Sequence, residues 1–140
     1  MQPALLPLMP PGLALTKSWQ SYYDAGKDYI EAGDYQLGVQ MLEASLEALK
    51  KDANGQVSGA ALEQQLMTLK QLREVRSTEG DWVASAEIAR QIWHIEKSRA
   101  TRNEEAYYKA MSAYCTALLI HHGNVTNGAA DLAACLKELL

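Results

Sequence analysis

GDYQLGVQMLEASLEAL, residues 33–49, and GNVTNGAADLAACLKEL, residues 123–139, are the two stretches whose comparison decides the fold. At a constant offset of 90, Gly33, Gly38, Leu42, Ala44, Leu46 and Leu49 meet Gly123, Gly128, Leu132, Ala134, Leu136 and Leu139, six identities in 17 positions. Most of the matched leucines fall three or four residues apart, which puts their side chains on one face of an α-helix. Each stretch begins with Gly followed by Asp or Asn. A glycine can close a helix with positive φ at no steric cost. The Asp or Asn after it can cap the next helix by accepting from its first unpaired N–H groups. Each stretch therefore reads as the turn and second helix of a helical hairpin. Inside a helix Gly38 and Gly128 cost about 1 kcal/mol each against Ala. The expected compensation is a close approach of the partner helix.

Working outward, Gly80-Asp81 is another such turn, 47 residues after Gly33-Asp34 and 43 before Gly123-Asn124. Trp82 follows it where Tyr35 follows Asp34, and small residues come next at Ser85, Ala86 and Ala89. From Ser18 onward there is no proline, and Ala, Leu, Glu, Gln and Lys, all good helix formers, dominate. No alternating apolar pattern lasts long enough to make a sheet. The reading is all-α, with six helices in three hairpins at about 17–50, 59–98 and 102–139. A longer linker covers residues 52–59 and a weaker one residues 99–103. One hairpin cannot bury both of its faces, so three should stack into a continuous core. The middle helices should then be apolar on more than one face. Ala86, Ala89, Ile92 and Trp93 form one stripe, and Ile88, Ile92 and Ile95 form another.

Residues 1–16, MQPALLPLMPPGLALT, hold all four prolines and many leucines. Proline fixes φ and removes a backbone donor, so no regular helix is expected there. A secretory signal needs a basic start and an unbroken apolar run. Here no Lys or Arg precedes Lys17. The segment reads as an apolar arm or linker ahead of a helical domain at 17–140.

The chain has 140 residues, 48% apolar and 21% charged, with a formal charge of −4. That is one ordinary domain, too apolar to be wholly disordered. Without a basic excess, binding to nucleic-acid phosphates is not expected. No apolar run is long enough to span a membrane as a helix. Two cysteines make no disulfide scaffold, and nothing indicates an oxidising compartment, so the cytoplasm is the default expectation.

The first hairpin resembles a tetratricopeptide repeat. Tyr22, Ala25, Gly26 and Tyr29 match that motif's aromatic, small, small, aromatic series, and Gly33-Asp34-Tyr35 matches its turn. Gly38, Leu42, Ser45 and Leu46 match its second helix. The third hairpin has Ser112, Cys115, Thr116 and Leu119 at the series, while the middle one departs from it with Leu69, Leu72, Arg73 and Arg76. The turn spacing exceeds the usual period of about 34 and is similar to the longer repeats of kinesin-light-chain-like members. The resemblance implies a short right-handed solenoid whose first helices line a concave surface. That surface would present Tyr23, Lys27 and Ile30 from hairpin one. Lys70, Gln71, Glu74 and Ser77 would come from hairpin two, and Tyr114, Ala117 and His121 from hairpin three. Tyr23 and Tyr114 would be the anchors, since tyrosine supplies wide contact at low entropic cost. Relatives that clamp terminal carboxylates use Lys, Asn and Arg at places held here by Tyr23, Lys27, Gln71, Ala110 and Tyr114. Of these only Lys27 is cationic, so an extended peptide or amphipathic helix of mixed character is the expected ligand.

Chemistry-bearing residues are sparse. His121 and His122 stand at a helix end, where the dipole favours a protonated imidazole. Cys115, Cys135 and these histidines lack the regular spacing of a zinc site. Cys135 takes the small position matched by Ser45 and reads as a buried small residue. Neither a nucleophile elbow nor a phosphate-binding Gly-rich loop occurs. The expectation is a non-catalytic binding module without metal or cofactor, taking a protein or peptide. The alternatives are a homodimer formed through the apolar C-terminal helix, which ends Leu136, Leu139, Leu140, and a small metal protein or enzyme around Cys115, His121 and His122.

Overall fold

Gly33 and Gly80 break the chain as their local chemistry dictates. A computed structural model describes residues 17–99 and 101–140, so the arm read at 1–16 lies outside the described residues. Every element described is helical. α1 spans Trp19–Glu31, α2 Tyr35–Asp52, α3 Ala60–Thr78, α4 Trp82–Ser98, α5 Glu104–His121 and α6 Gly128–Leu139, with a single 3₁₀ turn at His122–Asn124 before α6. Gly33 and Gly80 take φ +85° and +80°. At each, the glycine N–H donates to the carbonyl three residues back, at 3.0 Å. The following Asp N–H donates five residues back, at 2.8 Å. This pairing satisfies carbonyls that the helix end leaves open. The same Asp then caps the next helix: Asp34 Oδ1 accepts from Leu37 N at 3.2 Å, and Asp81 Oδ1 from Ala84 N at 3.1 Å. Asn103 Oδ1 does the same for α5, accepting from Ala106 N at 3.0 Å.

The third turn departs from this pattern. Gly123 does not take positive φ; the left-handed residue is Asn127, at φ +56°. Val125 lies extended and buried between the 3₁₀ turn and α6. Burying that apolar side chain displaces the start of α6 to Gly128, three residues later than the offset from α2 expects. Asn124 therefore caps nothing. Instead Thr126 N donates to Glu87 Oε2 at 2.8 Å, tying the turn back to α4.

Two compact units divide between Thr68 and Leu69, inside α3. In the first, α1 and α2 cross at glycines. A Cβ on Gly38 would sit 2.5 Å from Ile30 Cγ1 and 3.2 Å from the Gly26 carbonyl. One on Gly26 would sit 2.8 Å from Leu42 Cδ2 and 3.2 Å from the Gly38 carbonyl. The helices approach backbone to backbone, which is the compensation expected for Gly38. Around the crossing, Tyr22, Met41, Ala44 and Ala48 form a core, with Trp19, Ala25 and Tyr29 packed on it. Ser45 Oγ donates to the Trp19 carbonyl at 2.9 Å, filling the small position with a bond to α1.

Gly128 has a different reason. It opens α6 rather than lying inside it, and a Cβ there would collide with the His122 backbone carbonyl. The glycine permits the tight return from the 3₁₀ turn, so the expected helix–helix approach at this position is corrected.

In the second unit, α4 buries Ala86, Ile88, Ala89, Ile92 and Trp93, and α5 buries Tyr107, Ala110, Met111, Tyr114, Cys115 and Leu118. Trp93 lies with its ring centroid 5.4 Å from that of Tyr114. Of α6 only Gly128 and Cys135 are buried. Two buried tyrosines supply its polar attachment. Tyr114 Oη donates to Asp131 Oδ2 at 2.6 Å, and Tyr107 Oη to the Glu138 carboxylate at 2.9 Å. Burial, then the bonded carboxylate, raises both phenols above their ordinary pKa, so both remain donors. Glu87 is held below its ordinary pKa. Burial opposes the shift, and the Thr126 N–H and Arg90 outweigh it.

Candidate functional site

Helices α3, α4 and α5 enclose a cleft of about 460 Å³ within the second unit. Its floor is Ile92 and Ala110, both buried, with Ala106 and Ala113 beside them. The alanines leave the room: no large side chain from α5 projects where Ala106, Ala110 and Ala113 recur at spacings of four and three. Lys70 and Arg73 line it from α3, and Lys109 from α5. Lys70 and Lys109 are exposed, and Arg73 is half-buried. Two carboxylates also border it. Glu96 is buried and already accepts from Arg99 Nη1 at 3.2 Å, whereas Glu105 is exposed on the rim. Asn103 completes the wall, its amide oxygen engaged in capping α5. The volume suits a few ligand side chains, and an apolar floor with a few convergent charges is the usual make-up of a binding site.

The residues expected on a concave surface meet different fates. Lys70 lines the cleft. Gln71 is half-buried and engaged within the fold, and Glu74 is exposed, its backbone carbonyl accepting from Thr78 Oγ1 at 2.9 Å. Ser77 Oγ pairs with Ser85 Oγ at 2.8 Å and serves the α3–α4 turn. In the first unit, Tyr23 is half-buried with the Lys27 ammonium 5.6 Å from its ring centroid, a cation–π distance. Ile30 packs over Gly38 between α1 and α2. Ala117 and His121 are half-buried on α5. Tyr114 is a correction: it is 0% exposed and bonded to Asp131, so it belongs to the core and presents nothing to a ligand. Its hydroxyl needed a buried partner, and Asp131 on α6 supplies one.

Comparison with protein-family models, curated proteins and solved structures finds no match. Sequence reading overlooked Arg73 and Lys109 as site residues, although Arg73 already stood out as a charge where the repeat motif has a small residue.

His94 and His122 are exposed, and the His122 ring nitrogen Nδ1 lies 3.1 Å from the Leu118 carbonyl. Cys115 and Cys135 are buried free thiols. Burial, with Cys115 nearby, pushes the Cys135 thiol up to about 11, where it is a poor nucleophile. Among the described residues, no three His, Cys, Asp or Glu are grouped to hold a metal, and no helix is long and apolar enough to cross a membrane.

Proposed function

We propose that this all-α chain is a non-catalytic protein-interaction module, its three hairpins forming a short tetratricopeptide-like right-handed solenoid that holds a peptide or helix. The observation that carries the reading is the α3–α4–α5 cleft, an apolar floor rimmed by Lys70, Arg73 and Lys109 on a chain of net charge −4. Such a concavity recognises by complementarity and needs no reacting group. Two Schellman-type turns and the glycine crossing of α1 and α2 support the repeat-like architecture. On the first unit, Tyr23 with Lys27 offers a further contact patch of its own.

The test is an affinity capture from native lysate with three chains: wild type, Lys70→Glu/Lys109→Glu and Tyr23→Ala/Lys27→Ala. Circular dichroism establishes that each variant remains helical. The expected outcome is a partner retained by wild type and lost on charge reversal at the cleft. A chain that captures nothing, or captures equally with both variants, overturns the proposal.

A second reading rests on a separate observation. Leu119 and Ile120 near the end of α5 are 59% and 77% exposed, and Leu139 and Leu140 are exposed as well. Apolar surface of this kind favours self-association. Light scattering across a concentration series decides it, since a strict monomer would dispose of the dimer.

A further inference from the structure

Arg73 differs from the other four arginines of the chain. Arg76 holds Glu79 at 3.5 Å, Arg90 holds Glu87 at 3.1 Å, Arg99 holds Glu96 at 3.2 Å and Arg102 holds Glu104 at 2.9 Å. Among the described residues Arg73 holds no carboxylate, although it is half-buried and lines the cleft. Its planar guanidinium fork fits a ligand carboxylate through two parallel bonds.

We infer that the cleft takes an acidic peptide segment, with one ligand carboxylate on Arg73, Lys70 and Lys109 flanking it, and a neighbouring apolar side chain on Ile92 and Ala110. This deepens the interaction-module reading and rests on it. Charge and shape both favour this occupant. The cleft's three cations face two carboxylates, of which Glu96 is already neutralised by Arg99. Lys70 and Lys109 make no ion pair among the described residues. An isolated small anion would use the cations alone and leave the apolar floor wet. A peptide that places a small or branched apolar side chain beside Asp or Glu covers both. The cations differ from those implied by the carboxylate-clamp resemblance, where only Lys27 is charged.

The test uses the full chain and fluorescence anisotropy. The probe is a short labelled peptide in which glutamates alternate with leucine and alanine, compared with the same peptide carrying glutamine. The glutamate probe should bind saturably and the glutamine probe at least about tenfold more weakly, the equivalent of about 1.4 kcal/mol. Arg73→Gln should weaken the glutamate probe by about the same factor, Arg73→Lys by less, and Lys50→Ala, on the exposed face of α2, not at all. Since Arg73 is half-buried and, among the described residues, bonded to no carboxylate, Arg73→Gln should keep its fold, which circular dichroism checks. Equal binding of the two probes, or indifference to Arg73→Gln, overturns the inference. If the probe fails while the lysate capture succeeds and is lost on cleft charge reversal, the acidic-peptide inference falls and the module stands.

Discussion

Helix α2 buries a continuous face from Gly38 to Leu49, whereas α6 buries only Gly128 and Cys135. The two helices carry the same letters at five matched positions, the sixth match, Gly33 with Gly123, lying in the turns before them. Leu42 is fully buried and Leu132 is half-buried; Ala44 is buried and Ala134 exposed; Leu49 is buried and Leu139 exposed. The difference begins at the turns. Gly33 and Asp34 close one helix and cap the next within a few residues, so α2 starts at once and its apolar face reaches α1 in register. In the third turn Val125 buries instead, α6 starts late, and its attachment passes to side-chain bonds with Tyr107 and Tyr114. Identical residues at a fixed offset thus hold one hairpin by close backbone contact and the other by tyrosine–carboxylate bonds.

Paired substitutions sharpen that contrast. The largest effect is expected from Leu42→Ala, which empties a fully buried site and should cost about 2–5 kcal/mol in a denaturant titration. Leu132→Ala, its counterpart, should cost less than half as much because its side chain is already partly solvated. Equal losses would mean that α6 is packed as tightly as α2. Next comes Tyr114→Phe, which removes the donor that holds Asp131. A lost hydrogen bond to a charged group should cost about 1.5–3 kcal/mol, with increased amide exchange concentrated in α6. Exchange rising equally in α1 and α2 would break the assignment of this bond to the third hairpin. The smallest contrast lies in the turns. Asp34→Ala loses a helix cap and should cost about 1 kcal/mol. Asn124→Ala, which caps nothing, should stay within about 0.5 kcal/mol. A reversal of that order would restore the sequence-level equivalence of the two turns.

Much of the fold was legible from residue order. The absence of proline after Ser18, the Gly33-Asp34 and Gly80-Asp81 pairs, and the two stripes on α4 each point to their element directly. These signals are local: a cap, a positive φ or a helical face is settled by residues within a turn or two of one another. The site was less legible. Lys70 was read as a surface residue and lines the cleft, but Tyr114 had the right spacing for a surface anchor and is buried. Spacing gives the angle of a side chain around its helix, and not what covers it.

The sequence by itself determined that this chain is all-α, where its first two hairpins turn, and which residues cap them, because those outcomes depend on backbone sterics and short-range hydrogen bonds. Tertiary structure alone decided that Gly26 and Gly38 face each other, that Gly128 serves a turn, that Tyr114 pairs with Asp131, and that, among the described residues, Arg73 lacks the carboxylate every other arginine has. Burial and pairing belong to the space between helices, and that space is set by packing among residues far apart in the chain.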